Sequence, residues 1–373
     1  MIYTITLNPA IDQHITIKKL IKDDRLKAEK IQRDPGGKGI NVSRVVKELG
    51  GQTKAFGLIG GCGGYMLRDL LERNNIDYQF TEIMGETRIN FIMTDLSDSS
   101  QTRVSAPGPE INEKNIQDFM SMLSAVNPRP LYWVVGGSLP PGAPRDTYKI
   151  LIQSLQQKGE RCVLDTDGEA LEIGLEARPF MVKPNEFELE RLVGKTIRDD
   201  KEILKAGREI CNKGIEVVVV SLGKRGAMFV TRTRAWRLQG PEDIKVRSKV
   251  GAGDSLLGGV LVSLERGESL EIAARWGIAA SAAAVMSEGT KLCARKDAER
   301  LFGSISAVPM EYDDNKAKDI VCGMEINKIK TSSQSRYKES VFYFCSMVCK
   351  NKFAADPEKF LARENKYTTR PFG

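Results

Sequence analysis

Apolar positions along the chain follow two periods. The opening stretch Met1 to Pro9 alternates like a strand. Farther on, strand-like runs at Leu131 to Val135, Cys162 to Asp165 and Val217 to Leu222 are interleaved with helical patterns at Thr147 to Gln157 and about Asp254 to Leu264. This order predicts an α/β fold with a mostly parallel sheet covered by helices, and ligands at the carboxyl ends of the strands. Two segments break the alternation. Residues 11–34 and 86–106 hold short strand-like stretches, the second with a turn signal at Asp98-Ser99-Ser100, and together they predict a small separate sheet. Over an α/β site such a sheet would be a lid, although ordinary surface hairpins fit the pattern equally well.

The pattern changes near Pro309. Residues 1–309 read as one large domain, and residues 310–318, with the polar run Glu311-Tyr312-Asp313-Asp314-Asn315-Lys316, read as a linker. Residues 319–361, with three of the chain's seven cysteines and a cluster of aromatics, read as a compact module, and 362–373 as a tail. With 373 residues, 41% of them hydrophobic, a large core is available and disorder is not expected. The net charge of +7 is uneven, because residues 316–373 hold twelve Lys and Arg against six Asp and Glu. The large part is close to neutral, so no nucleic-acid partner is expected. The longest strand-like run, Val217 to Val220, is far short of the roughly 20 residues that cross a bilayer, and the N-terminus has no secretory pattern. The expected location is cytoplasmic, without membrane association. An odd number of cysteines there points to free thiols or metal ligands rather than disulfides.

Candidate chemistry concentrates in Gly251-Ala252-Gly253-Asp254, which opens a helix rich in small residues, Ser255 to Val260. Small residues let the backbone approach a ligand, and a helix N-terminus offers free N–H donors and a positive dipole end. Phosphoryl transfer needs such an anion hole beside a carboxylate that takes the acceptor's proton, a position Asp254 fills. The plainer reading is a helix N-cap after a glycine turn. A second segment, Pro35-Gly36-Gly37-Lys38-Gly39-Ile40-Asn41-Val42-Ser43, puts glycines and an Asn before a helix, which serves packing as readily as binding.

With Leu7-Asn8-Pro9-Ala10-Ile11-Asp12, Gly136-Gly137-Ser138-Leu139-Pro140-Pro141-Gly142, Val182-Lys183-Pro184-Asn185-Glu186-Phe187-Glu188 and Val220-Ser221-Leu222-Gly223, these segments stand in one order. In that order they resemble the phosphofructokinase B branch of the ribokinase-like sugar kinases, over about residues 1–305. The resemblance implies ATP and magnesium as cofactors, a sugar phosphate as substrate, and a β lid that closes over the sugar and forms a homodimer contact. It implies Asp254 as catalytic base with Gly251, Ala252 and Gly253 as the anion hole. Asp12, Gly37 and Asn41 would hold sugar hydroxyls, with Ser138 a further substrate-binding candidate. Lys183, Asn185, Ser221, Gly223 and Gly226 would line the nucleotide site, and Glu188 would position magnesium through water, which suits that ion's retained hydration shell. Arg88 best matches the clamp on the substrate's phosphate, where an arginine fork outperforms a lysine. Arg25, Lys27 and Arg103 are further lid candidates that read equally well as solvated charges.

One residue departs from the branch: Lys249 stands where a small hydroxylated or β-branched residue is common. Two segments mislead. Gly194-Lys195-Thr196 lacks the P-loop's earlier glycine, which would fall at Leu189. Gly60-Gly61-Cys62-Gly63-Gly64 lacks dinucleotide-binding spacing. The sole histidine, His14, lies two residues from Asp12 and borders the expected sugar position, and with no second histidine, histidine-based relays and metal sites are excluded.

In the C-terminal module Cys345 and Cys349 are four apart, so on a helix they would share a face, and Cys322 is a third thiol. Convergent thiolates suit zinc or copper(I), and the alternative is a packed module that binds no ion. This stretch, with Asp356-Pro357-Glu358-Lys359-Phe360, resembles the YHS domain, which is related to TRASH-type metal-sensing modules. Three cysteines leave a tetrahedral site one ligand short, to be filled by Asp319, water or a partner chain.

The expected activity is ATP-dependent phosphorylation of a ketohexose monophosphate. Arg25-Leu26-Lys27 and Gly289-Thr290-Lys291-Leu292-Cys293 resemble the 6-phosphofructokinases of the branch, which favours fructose 6-phosphate over fructose 1-phosphate or tagatose 6-phosphate. A different class of function, a metal-responsive or partner-binding protein with the kinase body as scaffold, would have been favoured by an altered Asp254.

Overall fold

The structure is a computed structural model that describes residues 1–248, 250–287, 289–312, 316–328, 330–331, 333–338 and 340–361. Lys249, the centre of the expected linker and the tail from residue 362 lie outside the described residues. The chain divides into two compact units, Met1–Met310 and Glu311–Gly373.

The first unit begins with β1 (Ile2–Thr6), β2 (Ala10–Ile17), β3 (Ala28–Gly36), α1 (Lys38–Glu48), β4 (Thr53–Ile59), α2 (Gly61–Arg73), β5 (Asp77–Glu82), β6 (Arg88–Asp95) and β7 (Gln101–Val104). It continues through α3 (Glu113–Ser124), β8 (Tyr132–Gly136), α4 (Thr147–Gln156), β9 (Arg161–Asp165), α5 (Gly168–Leu175), β10 (Met181–Val182), α6 (Glu186–Val193) and α7 (Asp200–Asn212). It ends with β11 (Val217–Ser221), β12 (Ala227–Val230), β13 (Ala235–Leu238), α8 (Ala252–Glu265), α9 (Leu270–Met286), α10 (Arg295–Phe302) and β14 (Ala307–Met310).

Ten strands form the main sheet in the order β14-β13-β12-β11-β10-β9-β8-β1-β4-β5. From β5 to β11 every pairing is parallel, and β12, β13 and β14 add an antiparallel edge. The central strands are continuous apolar runs because helices cover both faces, so no position along them meets water; β8 and residues Val217 to Val220 of β11 are buried throughout. Helix α8 is held by close packing on α9. A Cβ on Gly259 would lie 2.6 Å from the Trp276 carbonyl oxygen, and one on Gly277 would lie 2.6 Å from Val260. That approach fixes the N-terminus of α8 at the carboxyl ends of the parallel strands.

The segments expected to stand apart from the main sheet do so. They form a four-stranded sheet in the order β3-β2-β6-β7, with β2 and β6 parallel and the other pairs antiparallel. One face carries the paired Asp12 and Asp34, His14 and Gln32, and Thr16 and Lys30. The opposite face carries Ile15, Ile31, Phe91, Met93 and Val104.

The second unit contains β15 (Lys316–Lys318) paired with β16 (Glu325–Asn327), β17 (Gln334–Tyr337) paired with β18 (Ser340–Tyr343), and α11 (Met347–Ala355). Phe344, Cys349, Phe353 and Phe360 form its buried core.

Candidate functional site

Helix α8 starts at Gly251, whose φ of +72° lies in the left-handed region, and a side chain there would strike Leu292. No side chain caps the helix, so the first-turn N–H groups of Ala252, Gly253 and Asp254 point outward with the positive end of the dipole. A Cβ on Gly253 would come within 3.2 Å of the Lys183 ammonium, which shows how closely that cation approaches the helix start.

Asp254 is fixed by α1, where Asn41 Nδ2 donates to its Oδ2 at 2.8 Å. The amide orientation is set from behind, because the Arg44 guanidinium donates to Asn41 Oδ1 at 3.3 Å and pairs with Asp34 at 3.5 Å. Burial raises the Asp254 carboxyl to about 6, and the charge of Asp165 adds to this; the Asn41 hydrogen bond and the Lys38 and Lys183 ammoniums oppose it. A carboxyl so tuned is ionised near neutrality yet basic enough to take a proton.

Asp165, at the carboxyl end of β9, binds both ammoniums through Oδ1, with Lys38 at 3.0 Å and Lys183 at 3.3 Å. Burial alone would raise its carboxyl; the two cations outweigh burial and hold it below the ordinary range. Among the described residues its buried Oδ2 has no hydrogen-bond partner, which leaves an acceptor free beside the two lysines. Glu188 faces the same cluster closely enough to feel both lysines. It also forms a reciprocal capping box with Asn185 at 2.8 and 2.9 Å, so these two residues first of all define the start of α6. Ser221 ends β11 and bridges to Asn185. Gly223 adopts φ +57° beside open space, whereas Gly226 closes the turn into β12, where a side chain would strike the Leu238 carbonyl oxygen.

Toward the second sheet, Asp12 accepts from Asn90 Nδ2 at 2.9 Å, and Gly36 must lack a side chain because the Asp12 carboxylate fills that space. Gly37 has φ +112° and packs on Thr6, while Thr6 Oγ1 accepts from the Ile40 N–H, so both the packing and the binding readings of this turn stand. Arg88 donates to the Ala106 and Asn8 carbonyls at 2.9 Å each and to Ser138 Oγ at 3.3 Å, and its buried Nε has no partner among the described residues. Tyr148 pins the turn before Ser138 by donating to the Gly137 carbonyl at 2.9 Å. His14 is buried and pairs with Thr94 at 2.6 Å. Arg25 and Lys27 lie on the exposed connection between β2 and β3, and Arg103 is exposed on β7; among the described residues none of the three hydrogen-bonds into the Asp254 network.

The structure brings together Asp254, Asn41, Lys183 and the glycine turn, and adds four residues that the motif reading left without a role. Lys38 lay inside a quoted segment, Asp165 closes a predicted parallel strand, and Arg44 and Asp34 support Asn41. Asp165 was the most findable, since the carboxyl end of a central strand is where α/β folds place ligands. The two misleading segments have structural explanations. Gly194 is the left-handed C-cap of α6, and the N-terminus after Gly60 is capped by Glu86, which accepts from Cys62 and Gly63 N–H at 3.0 and 2.9 Å.

In the second unit Cys322 Sγ and Cys345 Sγ are 3.6 Å apart, and Cys345 Sγ and Cys349 Sγ 3.7 Å. One expectation needs correction: Cys345 and Cys349 do not share a helix face, because α11 begins at Met347 after the N-cap Ser346 and Cys345 precedes it. The thiols converge through the helix entry instead. Asp319 joins them, with all four ligand atoms within 4.8 Å. Its carboxylate already accepts from the N–H groups of Val321 and Cys345, each at 2.8 Å. Thiolates bonded to one ion at roughly 2.3 Å stand about 3.8 Å apart in a tetrahedron, so the sulfur spacing fits a soft metal ion.

The fold and the cluster at the start of α8 define a ribokinase-like α/β phosphotransferase. The pfkB family carbohydrate kinase profile matches residues 5–297, and the chain belongs to that family as a phosphofructokinase-type sugar kinase. The YHS domain profile matches residues 317–364. The chain is 34% identical to ATP-dependent 6-phosphofructokinase isozyme 2 of Escherichia coli, over 82% of this chain and 99% of that protein. It is 33% identical to 1-phosphofructokinase of Bacillus subtilis, over 77% and 93% respectively. The crystal structure of Escherichia coli phosphofructokinase-2 in complex with fructose-6-phosphate superposes with a TM-score of 0.77 at 33% identity, covering 81% of this chain and 98% of that one. No helix among the described residues is long and apolar enough to cross a membrane.

Proposed function

We propose that the first unit transfers the γ-phosphoryl group of ATP to the free 1-hydroxyl of fructose 6-phosphate. The observation that carries this reading is Asp254 itself, a carboxylate of raised basicity at the foot of an uncapped helix, held by Asn41 and facing Lys183. Asp254 takes the hydroxyl proton as that oxygen bonds to phosphorus, and ADP departs with the electrons of the broken bond. The N–H groups of Ala252, Gly253 and Asp254 and the Lys183 ammonium stabilise charge on the transferring group. Asp12 and Asn41 hold sugar hydroxyls beside Gly37, and Arg88 with Ser138 takes the sugar's own phosphate. Magnesium, when bound, neutralises phosphate charge; Glu188 and the unpartnered Asp165 oxygen are suited to hold its water shell.

Relatives of both substrate names lie at nearly the same identity, so the preference for fructose 6-phosphate rests on Arg25-Leu26-Lys27 and Gly289 to Cys293. In a test panel, ADP release is measured with ATP, magnesium and fructose 6-phosphate, fructose 1-phosphate or tagatose 6-phosphate. The highest kcat/KM is expected for fructose 6-phosphate, and a higher value for another sugar would reassign the substrate.

The four-stranded sheet acts as lid and, through its apolar outer face, as homodimer contact. Ile31, Val104 and Phe91 there are 56%, 51% and 39% exposed in the single chain. In the second unit the three thiolates hold one zinc or copper(I) ion, and Asp319 ties together the two loops that present them.

A further inference from the structure

A cleft of about 330 Å³, open to solvent and with Lys30, Arg247 and Lys291 exposed on its walls, lies in the first unit between the inner face of the four-stranded sheet and the body segments around Arg247 and Gly289 to Lys291. It is separate from the Asp254 cluster. Its charged lining is one-sided: Lys30 from β3, and Arg247 and Lys291 from the body, with no carboxylate among the described lining residues. Neither Lys30 nor Lys291 forms an ion pair among the described residues, and the neighbouring Asp34 carboxylate is already held by Gln32, Thr290 and Arg44. Its inner wall is polar and ordered, because His14 pairs with Thr94 at 2.6 Å and Gln101 donates to the same Thr94 hydroxyl at 3.3 Å.

Lys30 belongs to the sheet and Lys291 to the body. Between these two sides runs a contact that already joins sheet to body, in which Thr290 hydrogen-bonds to Asp34 of β3 and Arg44 donates to the Thr290 carbonyl at 3.3 Å. Arg44 in turn orients Asn41 against Asp254. An anion that draws Lys30 and Lys291 together would therefore tighten this contact on the Asp12 strand pair.

We propose that this cleft is an anion site for a small phosphorylated molecule, distinct from the substrate sites, and that its occupancy favours the closed lid and so raises affinity for the sugar phosphate. The volume exceeds that of a bare phosphate and leaves room for a small organic group, while lysine ammoniums and hydroxyls are suited to a phosphoryl dianion. Because coupling between sites is reciprocal, the sugar phosphate must strengthen the anion's binding by the same factor. The coupling rests on the sugar-kinase reading; the binding does not.

Equilibrium dialysis of the full chain against radiolabelled inorganic phosphate, and separately glycerol 3-phosphate, tests the site. The substrate sites are first filled with fructose 6-phosphate and a non-hydrolysable ATP analogue. The expected result is one saturable site, weakened at least about tenfold in Lys30→Gln and further in Lys30→Gln/Lys291→Gln. Tighter binding of glycerol 3-phosphate assigns the site to a phosphate ester, and equal binding assigns it to free phosphate. In parallel, the anion should lower KM for the sugar phosphate several-fold in the parent and leave it unchanged in the double variant. No saturable site, or equal binding by the double variant, overturns the proposal. Binding that leaves KM unmoved overturns the coupling. A chain without kinase activity would still report on the site by dialysis, which separates this failure from failure of the kinase reading.

Discussion

The polar clusters of the two units are built in opposite ways. Around Asp254 the supporting charges are paired within the protein: Asp165 lies between Lys38 and Lys183, and Asp34 pairs with Arg44. A large apolar core of strands, α8 and α9 supports them, so the arrangement needs no ligand to persist. Around Asp319 three thiols crowd within 4.8 Å, and the core beside them is four buried residues. The difference separates function from stability: the first site should lose chemistry without losing fold when altered, and the second should lose fold.

The largest expected effect follows from removing the metal ion proposed for the second unit. Small modules draw folding free energy from a bound ion, so a strong chelator should abolish protection of the Phe344 and Phe353 amides from hydrogen exchange while ADP release is unchanged. Elemental analysis of anaerobically purified protein should find one zinc or copper per chain, and none above background in Cys345→Ser/Cys349→Ser. Equal metal in both would return the module to a packing or partner-binding role.

A smaller effect is expected at Arg88. Arg88→Ala should raise KM for the sugar phosphate about tenfold or more with little change for ATP. Equal rises for both substrates would mean that its bonds to the Ala106 and Asn8 carbonyls are its whole role.

The smallest is a shift in pH dependence. The active form of Asp254 is the carboxylate, so turnover falls as pH drops through its raised value. The Asn41 hydrogen bond opposes that rise. In Asn41→Ala the acid limb of kcat should therefore move to higher pH than in the parent with the same substrates, and a limb that stays put or moves lower would contradict the assigned cause.

Much of this contrast was legible in the sequence. The parallel sheet and the separate four-stranded sheet follow from apolar runs and turn residues, which depend on local order. Asp254 and its glycines were legible because a helix start is contiguous in sequence. Asp165 was marked only by its place at a strand end, and Lys38 and Arg44 by nothing local, since their roles come from partners 127 and 10 residues away, brought together by strand order and helix packing. The same limit explains Cys345: spacing of four suggested one helix face, whereas Ser346 caps the helix and leaves the thiol outside it.

The central claim is that Asp254 takes the acceptor's proton. Turnover of Asp254→Asn with saturating fructose 6-phosphate and ATP, measured alongside its nucleotide affinity and melting temperature, tests this most directly. A fall of at least roughly 10²-fold in kcat, with ATP binding and stability close to those of the parent, is predicted. Turnover near that of the parent would contradict it.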